Sequence, residues 1–225
     1  MNPEQPEALS PKELEWRSKI EKVAKRKDKV GGEMDSGIIE SVVALNLHKF
    51  PTSASCEGHL DHGYAAPWVA IEAVNEPKER YNDQAELEKR VCEKHGLTMK
   101  QIRDGEHMAE WRELCELYDE SGESDAFKTW RIANDQLRDR MERLIEEYRA
   151  LRTDADPSAI PTIELSGGAG AFRIYVGSPE RDQATEEMTD AGRTELAERL
   201  RVSREEMKLF TAFLKQKYFA APEHL

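Results

Sequence analysis

No stretch of the chain approaches the roughly 18 to 20 consecutive apolar residues that a bilayer-crossing helix needs, which excludes a helical membrane span. Cysteine is scarce. Cys56, Cys92 and Cys115 are too few and too scattered for a disulfide framework, so a reducing, cytoplasmic location is expected. The opening residues Met1–Ser10 carry neither a basic start nor an apolar stretch, and no cleaved leader is expected. Basic charge is in deficit, with 33 Lys and Arg against 45 Asp and Glu and a net charge of −12. Nucleic acid is therefore not expected as a partner, because neutralising phosphates takes clustered cations. The one dense basic run, Lys19, Lys22, Lys25, Arg26, Lys27 and Lys29, reads as the solvated face of a first helix or as a phosphate-contacting stripe. Aromatic residues make up only 7%, yet the apolar residues fall in periodic blocks, which excludes disorder throughout. What remains is a 225-residue acidic chain, 38% hydrophobic and 35% charged, long enough for one large domain or two small ones.

Ser10-Pro11-x-Glu13 has the form of a capping box with Pro at the first helical position, and Gly31-Gly32 would stop that helix. A second helix is expected over about Ser36 to His48, apolar nearly all round and therefore deep in the core. Strands are expected near 52–55, 68–74, 161–165 and 171–177, the last two joined as a hairpin through the glycine-rich Ser166–Gly170 turn. Between them, 77–152 changes to a helical period. One helix carries Leu87 and Val91 and ends near His95-Gly96. Another is capped by Thr98 and carries Ile102 to Tyr118. In the third, Phe127, Trp130, Asn134, Leu137, Met141, Leu144, Tyr148 and Leu151 repeat at heptad spacing. The fold class that follows is α+β: a small, mostly antiparallel sheet packed with helices and interrupted by a long helical hairpin insert. The expected domains are a core of 1–76 with 153–225, and a coiled-coil-like insert of 77–152. The heptad seam would pack in an intramolecular hairpin or in a homodimer through the 124–152 helix, with Asn134 fixing register.

Chemistry concentrates in Phe50–Gly63, which holds one of the three cysteines and two of the six histidines. Cys56, His59 and His62 recur every three residues, so a curled loop would converge them. Thiolate and imidazole together suit zinc or another borderline-soft divalent metal, and three protein ligands with an open position is what a catalytic zinc requires. Glu57 or Asp61 would then serve as fourth ligand, supporting partner or general base. A second reading makes Cys56 a nucleophile and His59 its base, with Glu57 handling protons and Ser53 and Ser55 binding a ligand. A third makes the segment a polar turn in which Gly58 and Gly63 permit tight dihedrals.

The segment Thr52-Ser53-Ala54-Ser55-Cys56-Glu57-Gly58-His59, followed by Pro67-Trp68-Val69, resembles a pattern found in uncharacterised bacterial and phage proteins. It also resembles the Thr-Ser-Ser-Cys-Ser-Gly-Arg segment of wybutosine-synthesising tRNA methyltransferases. Glu57 stands where that segment has a small residue, and His59 where it has arginine. That resemblance implies an S-adenosylmethionine or tRNA-related site on the same loop.

Elsewhere the signals thin out. Ser166–Gly170 lacks the Lys-Ser/Thr of a phosphate loop. Leu196–Ser203 has the apolar rhythm of a helix-turn-helix, with Arg199, Arg201 and Arg204 offset by Glu195, Glu198, Glu205 and Glu206. Arg173, on the second hairpin strand, is a further ligand-binding candidate. No His-Glu-x-x-His or kinase signature occurs. Two classes of function follow: a metal- or ligand-binding pocket on the Cys56–His59 loop, with or without catalysis, or an acidic, phage-type interaction protein. The latter would engage a protein partner through its helical insert, where residues 76–156 hold 22 acidic and 15 basic groups.

Overall fold

The computed structural model describes residues 9–27, 33–153, 160–166, 169–178, 182–183 and 188–222. The fold is α+β, with seven α-helices and one four-stranded antiparallel sheet among those residues. Two compact units emerge, Met1–Glu72 with Gln136–Leu225, and Ala73–Asp135.

In the first unit, α1 (Pro11–Ala24) begins at the expected capping box: Ser10 accepts the Glu13 N–H, and the Glu13 carboxylate accepts the Ser10 N–H. The helix ends at Ala24, and the glycine pair read as its stop lies outside the described residues. A single 3₁₀ turn over Ser36–Ile38 leads into α2 (Ile39–Leu47), whose Val42, Val43, Ala44 and Leu45 are buried as its all-round apolarity demands. Strands β1 (Thr52–Cys56), β2 (Trp68–Ile71), β3 (Thr162–Leu165) and β4 (Phe172–Tyr175) pair in the order β1-β2-β4-β3. Val69, Ile71, Phe172 and Ile174 alternate onto the buried face. Ser166 donates its N–H to Ala171 at 2.8 Å, closing the β3–β4 hairpin, while Gly167 and Gly168 lie outside the described residues.

The chain then runs into α7 (Asp190–Ala220), 31 residues without a break. The helix-turn-helix reading fails here, because no turn separates Leu196 from Ser203. Arg199 pairs with Asp182 and Glu195, and Arg201 with Glu198. The Lys12 ammonium donates to the carbonyls of Tyr218, Phe219 and Ala221, which satisfies the orphan acceptors at the C-terminal end of α7. A buried hydroxyl pair, Ser41 with Thr211 at 2.7 Å, ties α2 to α7.

In the second unit, α3 (Gln84–His95), α4 (Met99–Arg103) and α5 (Met108–Ser121) surround Leu87, Val91, Ile102, Leu114 and Tyr118. The single helix expected from Thr98 onward is broken, because Gly105 adopts φ +86°. Three short helices therefore occupy 84–121, and the long helical hairpin is not confirmed.

The longer α6 (Asp125–Leu151) follows. Its buried row runs through Phe127, Trp130, Leu137, Met141, Ile145 and Tyr148. Leu151, expected on the seam, is 69% exposed, and Ile145 is buried where Leu144 was expected, because an uncoiled helix drifts off a strict heptad. Asn134 is buried, and its Oδ1 accepts the Ala73 N–H at 2.6 Å, while Trp130 donates to the Ala73 carbonyl. The 136–151 part packs against α7 in the first unit, with Tyr148 edge-on to Phe210 and bonded to buried Glu206. No helix among the described residues is long and apolar enough to cross a membrane.

Candidate functional site

Strand β1 is short, small-sided and polar, and among the described residues it pairs with β2, through a register that shifts at Ser53. A cleft of about 500 Å³ lies beside it. All five β1 residues line it, together with Arg26, Lys27, Glu33, Met34, Asp35, Val42, His59 and His62.

Beyond Cys56 the chain turns sharply. Gly58 takes φ +84°, and a Cβ there would lie 2.7 Å from the Ala66 backbone, so glycine is required. The turn sends Glu57 away from the cleft. Its carboxylate accepts the Gly37 N–H at 2.8 Å and pairs with Arg204 at 3.1 Å, while Arg204 also donates to the carbonyls of Glu57 and Gly58. The proton-handling role read for Glu57 has no geometric support, because both oxygens are taken by structural partners.

The same turn brings Cys56 and His59 together with Asp35, which precedes the 3₁₀ turn. One carboxylate oxygen, Oδ2 of Asp35, accepts the Glu57 N–H at 3.0 Å and lies 3.1 Å from His59 Nε2. Cys56 Sγ, His59 and Asp35 offer ligand atoms all within 4.8 Å of one another, a group that could hold a metal ion. A second such group joins His59, Asp61 and His62, whose imidazole stacks on His59 with ring centroids 4.2 Å apart. Cys56 and His62 do not share a group: Asp35 joins Cys56 and His59, while His62 joins His59 and Asp61.

The electrostatics separate the two carboxylate-adjacent groups. Burial pushes the Cys56 thiol up, and neighbouring Asp35 adds to that rise, outweighing the Gly58 N–H that Sγ accepts at 3.3 Å. Burial alone would raise Asp35, but the Glu57 N–H and His59 together hold it below the usual aspartate value. A protonated thiol beside a carboxylate is a poor nucleophile, and His59 engages Asp35 rather than Cys56. The Cys–His dyad reading is not supported in this geometry.

Ser53 and Ser55 line the cleft as expected of ligand-binding residues. Arg173 does not. It sits on β4 opposite Glu164, with its guanidinium 4.6 Å from the Trp68 ring. Reading the sequence missed Asp35 and Met34, and it named Arg26 and Lys27 only as part of the basic run of the first helix, not as lining this cleft. The signal for Asp35 was present but ambiguous: Asp-Ser-Gly before an apolar helix reads as a helix cap, whereas its side chain makes no cap bond and turns to the Cys56 loop instead. Compared with protein-family models, with curated proteins and with solved structures, the chain matches none.

Proposed function

We propose that this cleft is a metal-dependent binding site in which Asp35, Cys56 and His59 hold one zinc-class ion. The observation that carries the proposal is the convergence of the Asp35 carboxylate with the thiol and imidazole of the Cys56–His59 loop, within 4.8 Å of one another at the wall of a 500 Å³ cleft. At metal–ligand bonds of about 2.1 Å, tetrahedral ligands stand roughly 3.4 Å apart. The 3.1 Å between His59 Nε2 and Asp35 Oδ2 is close to that spacing. The mixed S, N and O donor set suits zinc or cobalt better than magnesium or calcium.

Metal binding would also resolve the raised thiol, because a coordinated cysteine is deprotonated and its negative charge is balanced by the ion. Three protein ligands leave one position for a water or a polar ligand entering from the cleft, the open arrangement that distinguishes catalytic from structural zinc. His62, stacked on His59, supports the imidazole's orientation. Glu57, Gly58 and Arg204 hold the loop that carries two of the ligands.

Titrating chelator-treated protein with Co²⁺ tests this reading. A thiolate-to-cobalt charge-transfer band saturating at one equivalent is expected, absent in Cys56→Ser and retained in His62→Ala. No band in the unaltered protein would overturn it.

A further inference from the structure

We infer that His59, Asp61 and His62 form a second, outer position for the same divalent ion, where it binds first before passing inward, on His59, to Asp35 and Cys56. The inference rests on the inner site proposed above and names the route by which that site loads.

Two ligand groups share one side chain. His59 belongs with Asp35 and Cys56 on one side and with Asp61 and His62 on the other, each set offering ligand atoms within 4.8 Å of one another. The loop arranges this. The His59 N–H donates to the Tyr64 carbonyl at 3.1 Å, so residues 60–63 form a tip that carries Asp61 and returns His62 onto the His59 ring.

The two groups differ in depth. The Asp61 and His62 side chains are 85% and 66% exposed, against 28% for Asp35 and 23% for His59, and Cys56 is half-buried. An ion arriving from solvent therefore meets the outer pair first. They differ in chemistry as well. The outer set supplies two imidazoles and a carboxylate, whereas the inner set adds a sulfur, the donor that favours a zinc-class ion.

Asp61 Oδ1 lies 2.8 Å from His62 Nδ1, and the tautomer that donates there leaves a lone pair on Nε2 for the ion. The His59 and His62 rings stack at 18°, with their in-plane lone pairs side by side. Joint coordination requires His62 to tilt, which an exposed side chain on a loop tip allows.

Occupancy of the two positions is exclusive. A neutral imidazole carries one lone-pair nitrogen, so His59 serves one ion at a time. The ion moves by exchanging Asp61 and His62 for Asp35 and Cys56 while His59 stays bound. The Cys56 proton passes to solvent as Sγ takes the ion.

The test mixes chelator-treated full-length protein with Co²⁺ in a stopped-flow instrument and follows the thiolate-to-cobalt band. Capture followed by exchange runs at the outer affinity multiplied by the exchange rate. A variant that weakens the outer position about tenfold therefore slows loading about tenfold. His62→Ala and His62→Phe should both show this slowing, with the final band unchanged. Phenylalanine keeps a ring on His59 without a ligand nitrogen, and neither variant removes a negative charge that would steer the cation. In Cys56→Ser, which stops the ion at the outer position, added Zn²⁺ should shift the ring nitrogens of His59 and His62 together in ¹H–¹⁵N spectra.

Unaltered loading in both His62 variants, a rate restored by His62→Phe, or His62 nitrogens that do not respond in Cys56→Ser would each overturn this inference and leave the inner site standing. So would a His62 nitrogen still coordinated in the unaltered protein at one equivalent of Zn²⁺, which would make the two groups a single site. No cobalt band in the unaltered protein would overturn the inner site and the hand-over together.

Discussion

Oδ2 of Asp35 lies 3.1 Å from Nε2 of His59, and the two side chains come from opposite sides of the buried α2 helix in the sequence. The contact fastens the segment before α2 to the loop after β1. Asp35 also takes the Glu57 N–H, and its carboxyl titrates below its ordinary value of 3.8. A carboxyl depressed on folding contributes stability that is present above its unfolded value and is lost as pH falls through the folded one. The unaltered protein should therefore lose stability on acidification below about pH 4 more steeply than Asp35→Asn, measured by urea unfolding across pH. Identical slopes for the two proteins would show that this contact contributes nothing.

Glu57 is a structural anchor. Its carboxylate accepts the Gly37 N–H, and a Cβ on Gly37 would sit 2.3 Å from Oε2. Glu57→Ala should cost about 0.5–1.5 kcal/mol in unfolding free energy, since it removes the hydrogen bond from the Gly37 N–H and the pairing with Arg204, both partly open to water. Cobalt binding in the folded fraction of that variant should survive. Loss of the cobalt band at full folding would restore Glu57 to the binding machinery.

Buried Glu206 is 5% exposed and meets Tyr148 Oη at 2.6 Å and Arg152 at 3.2 Å. Tyr148→Phe should destabilise by about 1–3 kcal/mol, because it leaves a buried carboxylate short of a donor. Adding Glu206→Gln should cost less in that background than in the unaltered protein, a coupling that a double-mutant cycle reads directly. Additive effects would mean the two groups do not act together.

In the second unit, Tyr118 donates to Glu88 at 2.7 Å, and burial, then the Glu88 carboxylate, pushes its phenol well above the usual 10. A tyrosine kept neutral in the fold but ionised when unfolded favours unfolding as pH rises past 10. Tyr118→Phe should flatten the stability loss between pH 10 and 11 in thermal melts, and an unchanged loss would assign it to other groups.

Much of this fold was legible in the chain. The Ser10 capping box, the apolar α2 and four strands near their observed positions followed from local rules that tertiary packing left in force. Gly105 broke a helix because a single positive-φ residue weighs more than the apolar period across it. The heptad of α6 drifted because its C-terminal part packs on α7, with Phe210 and Phe213 beside Tyr148, rather than in a supercoil. At the site, Cys56 and His59 were visible as neighbours in sequence. Asp35 was not, because its convergence with them depends on the path of the chain around α2, which no local pattern encodes.

The most direct test of the metal site is elemental mass spectrometry of untagged protein purified without chelator, beside Asp35→Asn, Cys56→Ser and His59→Ala. About one zinc-class ion per folded chain, lost or sharply reduced in all three variants and kept in His62→Ala, is the predicted result. A folded protein carrying no such metal, or one whose metal persists in Cys56→Ser and His59→Ala, would contradict it.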